Sequence, residues 1–102
     1  MRDAGSLLLK ALVREAGETT THRLTERHIA WASATFTGAR HEVTLLLTGV
    51  DAAARADRLA AEIAELEFRL PGHLVADALF AGRRDTADGI EIDLEALTIE
   101  DG

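Results

Sequence analysis

Apolar residues recur along this chain with two different periods, and each change of period marks a change of element. From Ser6 to Ala16, the residues Leu8, Leu9, Leu12, Val13 and Ala16 fall on one stripe at helical spacing. Asp3 or Ser6 can cap that helix, and Gly17 suits the left-handed residue after its end. The polar stretch Glu18 to Arg27, with three threonines in a row, reads as a connection that can run extended. The runs His28 to Phe36 and His41 to Thr48 flank the break Thr37-Gly38-Ala39-Arg40 and predict a hairpin. In the second run Val43, Leu45 and Leu47 alternate with Glu42, Thr44 and Leu46, which is strand periodicity. Asp51 then opens the clearest helix, with Ala56, Leu59, Ala60, Ile63 and Leu66 as its apolar stripe. Leu70-Pro71-Gly72 ends that region, because proline cannot continue a helix. The last third reads as a strand over His73 to Ala81, a loop over Gly82 to Gly89 and a strand over Ile90 to Ile99. In this final strand Ile90, Ile92 and Leu94 alternate with Glu91, Asp93 and Glu95, predicting one buried face and one wet, acidic face.

Helix–strand–strand therefore occurs twice, over residues 3–48 and 50–100. Ala32 to Arg40 and Ala76 to Arg84 also match at five of nine positions, which suggests an internal repeat; chance likeness of two alanine-rich stretches is the alternative. Ala32, Ala34 and Phe36 would share one face of the first strand, and Ala76, Ala78 and Phe80 the matching face of the third. Both faces are assigned to the core. The predicted fold is α+β in αββαββ order: a four-stranded, mainly antiparallel sheet with two helices on one face. In topology this is like a ferredoxin fold circularly permuted so that its first strand stands at the C-terminus. Helices over 25–34 and 72–81, closed by Gly38 and Gly82, are the competing reading. Strands are preferred, since a sheet of 41–48 and 90–99 alone would be two-stranded and marginal.

Length and composition narrow the classes. A chain of 102 residues, 47% hydrophobic and 28% charged, fits one ordered domain over 1–102. The absence of cysteine excludes disulfides and thiolate metal sites. Lys10 interrupts the run Leu7-Leu8-Leu9, too short for a secretory core or a membrane span, so a cytoplasmic location is expected. A net charge of −7 argues against nucleic acid and anionic membrane surfaces as partners.

Candidate chemistry is sparse. No nucleophile, phosphate-loop or dinucleotide motif occurs, so no catalytic residue and no cofactor is assigned. His22, His28, His41 and His73 lack metal-ligand spacing. If strands one and three run alike, His28 and His73 stand at one end about 14 Å apart, with His41 at the other. The histidines would then not converge, and no metal is expected. The same arrangement gathers Arg40, His41, Arg83 and Arg84 at the hairpin tips, where guanidinium groups and turn N–H groups can hold a small anion. Asp77, Glu91, Asp93 and Glu95 form an acidic cluster on the open sheet face. Ile29, Trp31, Leu46, Val75 and Leu79 would make that face an exposed apolar patch, hence an interface. The expected function is a small binding or interaction domain, homodimeric, able to take a small anionic ligand. The alternative is a cofactor-independent enzyme on a polar metabolite, with an aspartate or histidine base at a dimer interface.

Overall fold

A computed structural model describes residues 3–100. Helix α1 (Ala4–Ala16) starts where the Asp3 carboxylate accepts a hydrogen bond from the Ser6 N–H at 2.7 Å. Its end is closed by Gly17, whose φ of 116° turns its own N–H back to the Val13 carbonyl at 3.0 Å. After a 3-10 turn, Glu18–Thr20, come strands β1 (Thr21–Ala32) and β2 (Thr37–Leu47). Helix α2 (Ala52–Glu62) continues into a second 3-10 turn, Ile63–Glu65, and strands β3 (His73–Thr86) and β4 (Gly89–Glu100) follow. The protein is thus α+β, with two helices and a four-stranded antiparallel sheet.

Both edge strands are longer than hydrophobic alternation predicts. Residues Thr21 to Arg27 belong to β1 rather than to a connection, and Gly82 to Thr86 continue β3 rather than forming a loop. Edge strands expose much of both faces, so their pairing rests on backbone hydrogen bonds and leaves little alternation to read. No helix forms over 25–34 or 72–81.

The sheet order is β1-β2-β4-β3, and every neighbouring pair is antiparallel. It follows that β1 and β4 run one way while β2 and β3 run the other. The expectation that the first and third strands run alike is therefore corrected. Helix α2 carries the chain back along the sheet before β3 begins, so β3 parallels β2 and the second helix–strand–strand unit is inverted against the first. The two hairpin turns consequently lie at opposite ends of the sheet. The matching segments do not occupy like positions either. Ala32 to Arg40 spans the end of β1, a turn and the start of β2, whereas Ala76 to Arg84 lies wholly within β3.

One hydrophobic cluster holds the layers together. Val43, Leu45 and Leu47 of β2 and Ile90, Ile92, Leu94 and Ala96 of β4 face Leu8, Leu12 and Ala16 of α1 and Ala56 and Leu59 of α2. Of the residues expected in the core from the edge strands, Ala78 is buried and Phe80 packs against the cluster. Ala32, Ala34 and Phe36 are exposed, because β1 ends at Ala32 and the next residues form the turn. No helix among the described residues is long and apolar enough to cross a membrane.

Candidate functional site

The inverted second unit separates the arginines. Arg40 lies near the start of β2, while Arg83 and Arg84 lie near the end of β3, at the opposite end of the sheet. They do not form one basic patch. Arg83 and Arg84 also sit on opposite faces of β3, by alternation. Arg83 reaches Asp57 of α2 at 2.8 Å and Asp85 at 3.4 Å. Arg84 lies on the open face and bridges Asp93 at 2.7 Å and Glu91 at 3.2 Å. Hydrogen bonding from Arg84 holds the Asp93 carboxyl below the usual carboxylate range, with Thr44 adding a bond of 2.8 Å. Half of the expected acidic cluster is therefore already neutralised by a residue expected to bind anions.

The open face divides into two halves. Glu91, Asp93 and Arg84 occupy the end where β4 begins, with Leu46 beside them. A charged row, Arg27, Glu42 and Glu95 with Leu79 at its edge, crosses the middle, and beyond it the side chains are mostly apolar: Ile29, Trp31, Leu74, Leu97 and Ile99. Ile29, Leu74 and Leu79 are exposed at 57%, 55% and 40%. Ile29, Trp31, Arg40 and Leu97 enclose a hollow of about 300 Å³. Four expected interface residues, Ile29, Trp31, Leu46 and Leu79, thus share this face. Val75 does not; it pairs with the buried Thr98 and packs against the core beneath the helices. A bulge between Val75 and Asp77 shifts the face on which the following residues of β3 appear, which a strict alternation cannot foresee.

Across the open face runs one row of paired residues, Ile29, Arg40, Leu97 and Asp77, one from each strand. Among the described residues neither Arg40 nor Asp77 has an ion-pair partner. They flank Leu97 on its two sides as an unpaired cation and an unpaired anion.

On the helix-facing side, the apolar end of the sheet carries three of the four histidines. Register sets His28 of β1 opposite His41 of β2, with ring centroids 5.8 Å apart. His73, at the start of β3, is at the same end, and all three line a cleft of about 350 Å³ with Asp3, Gly5, Thr98 and Glu100. This corrects the expectation that the histidines do not converge: the β1–β2 register pairs His28 with His41, and the reversed direction of β3 brings His73 to the same end within one chain. Glu26 accepts from His28 Nδ1 at 3.0 Å. Glu26, His28 and His41 each offer a ligand atom, all within 4.8 Å of one another. His41 is 1% exposed, and its Nε2 lies 2.8 Å from Thr98 Oγ1. Burial lowers the His41 pKa from 6.5, and the neighbouring His28 pushes the same way. Its Nδ1 is buried with no hydrogen-bond partner, as is His73 Nδ1. A signal for this pairing was present in the chain. A turn at Ser33 to Phe36 makes His28 and His41 cross-strand partners, whereas a turn at 37–40 hides them.

Comparison with protein-family models, with curated proteins and with solved structures finds no match.

Proposed function

We propose that the chain is a non-enzymatic interaction domain that pairs with a second copy of itself through the apolar half of its open sheet face. The row Ile29–Arg40–Leu97–Asp77 carries this reading. A second copy turned by a two-fold axis along β4 sets each Arg40 against the other's Asp77, with Leu97 between them. The face is then self-complementary in charge as well as apolar, which favours a copy over an unrelated partner. Taking strands about 4.8 Å apart and about 3.3 Å of rise per residue, the apolar half covers roughly 400 Å² per copy, about half of a standard interface. The dimer is accordingly weak and reversible. Cytoplasmic residence, and a ferredoxin-like fold permuted at its first strand, belong to the same proposal. The helix–strand–strand order and the sheet order β1-β2-β4-β3 support the latter. A small anion shared by Arg40, His41, Arg83 and Arg84 has no support in the geometry, since these side chains are divided between two ends and two faces.

Sedimentation equilibrium from micromolar to several hundred micromolar protein tests the pairing. Arg40→Asp or Asp77→Arg alone should weaken association at least about tenfold, because like charges then meet across the interface. The double variant should recover it. A wild-type monomer throughout, or a double swap no better than the singles, would overturn the proposal.

A further inference from the structure

The geometry points to Glu26, His28 and His41 as a site for a divalent first-row transition metal of the zinc type, bound through two imidazole nitrogens and one carboxylate oxygen. The three ligand atoms already lie within 4.8 Å of one another, and the Glu26–His28 pair stands at 3.0 Å. Bonds of about 2.0–2.2 Å at tetrahedral angles require ligand atoms roughly 3.4 Å apart, so closure needs side-chain movements on the order of 1 Å. His28 and Glu26 can supply that movement, with side chains 49% and 25% exposed on an edge strand.

The hydrogen bonds around His41 give the second line of support. The Ala39 carbonyl lies 3.4 Å from Thr98 Oγ1 and can take its proton, which leaves the Thr98 oxygen free to accept from His41 Nε2 at 2.8 Å. In that tautomer the buried Nδ1, which has no hydrogen-bond partner, presents a lone pair. An orphaned buried acceptor is costly, and a metal ion would satisfy it. A metal-bound histidine characteristically donates its other ring N–H to an oxygen that fixes the tautomer, and Thr98 Oγ1 is placed for that role at 2.8 Å. Gly5 adds room. A Cβ there would come within 2.9 Å of Glu26 Oε1 and 3.4 Å of His28 Nδ1, so glycine lets α1 lie against both without displacing the Glu26 carboxylate. The nearby Asp3 and Glu100 line the same cleft and add negative charge. Three protein ligands leave a further coordination position for water; His73 lines the same cleft but stands outside the group of ligand atoms within 4.8 Å.

The full-length chain, stripped with a chelator and dialysed, is titrated with Zn²⁺ by competition against a chromophoric chelator, and with Co²⁺ by visible absorption. One equivalent should bind, with a Co²⁺ spectrum of nitrogen–oxygen ligation. E26Q and H28Q should each weaken binding at least about a hundredfold, and T98V about tenfold through the tautomer of His41. Both ligand variants lie on the exposed edge, and thermal melts by circular dichroism verify that they remain folded. H22Q, at the far end of β1, serves as the control and should bind as the wild type. Absence of binding to the wild type overturns the site. So does wild-type affinity in folded E26Q and H28Q, or an equal loss in H22Q.

Discussion

Arg55 offers the sharpest test of how the end of the molecule opposite the His28–His41–His73 cleft is held together. Its side chain is 11% exposed and reaches three chain segments at once. Nη1 donates to the Ala16 carbonyl at the end of α1 at 2.7 Å and to Thr21 Oγ1 at 3.3 Å. Nη2 donates to the Thr48 carbonyl just after β2, with the Thr20 carbonyl at 3.5 Å. Nε lies 3.1 Å from Asp51 Oδ1, within ion-pair range but off the hydrogen-bond direction. Two of these bonds, to Ala16 and Thr48, are strong; the longer ones count for little. A hydrogen bond to a charged group contributes about 1.5–3 kcal/mol, so the pair contributes roughly 3–6 kcal/mol before offsets. Truncation returns up to about 2 kcal/mol of side-chain entropy. Arg55→Met keeps the aliphatic stem and removes the fork, so a net loss of about 3 kcal/mol is expected. For a domain of this size that lowers Tm by roughly 12–24 °C. Arg58→Met is the matched control: Arg58 also donates to a carbonyl of α1, Glu15 at 2.7 Å, but its side chain is 46% exposed. Solvent screening should hold its cost below about 1 kcal/mol. Urea unfolding of the two variants reads the difference, and equal midpoints would refute the assignment of Arg55 as the tie between α1, β2 and α2.

Stability should also depend on pH through His41. Its folded-state pKa lies below the ordinary 6.5 because of burial and of His28, with His73 acting likewise and Glu26 and Asp3 opposing. The unfolded chain therefore takes up the proton first. Stability is full above about pH 6.5 and falls as the pH drops towards the folded-state value, by at most about 1.4 kcal/mol per pH unit. Urea melts between pH 7.5 and 5 in chelator-containing buffer should show this slope and H41N should lose it; an unchanged slope in H41N would count against His41 as its source. Gly38→Ala should cost about 1–3 kcal/mol or more, since its Cβ would strike the Thr98 carbonyl oxygen, a backbone atom that cannot swing aside. Amide exchange should report the damage at the β2–β4 pairing near Thr98, and protection unchanged there would refute the clash.

Much of the secondary structure is legible in the chain because local physics determines it. The stripe Leu8-Leu12-Ala16 needs only helical spacing to be recognised, and the Ile90-Ile92-Leu94 alternation needs only a two-sided central strand. The edge strands resist the same treatment. Both faces of β1 are largely wet, so the pairing of Thr21 to Arg27 leaves no apolar trace. Bulges after Arg23, Val75 and Phe80 further break any alternation that remains.

The candidate sites depended on strand direction, which no local pattern encodes. Residue type alone marked Trp31, Arg40 and the histidines as groups to watch, and periodicity placed Glu91, Asp93 and Glu95 together on one open face. Their partners were decided by the return of α2 along the sheet, which makes β3 parallel to β2 and sets β4 between them. That one long-range pairing sends Arg83 and Arg84 to the far end and brings His73 into the cleft of His28 and His41, which the β1–β2 hairpin register had already paired. Hydrophobic periodicity records which side of an element is buried. Backbone pairing between distant segments records which end of it meets which neighbour, and only the folded sheet supplies that.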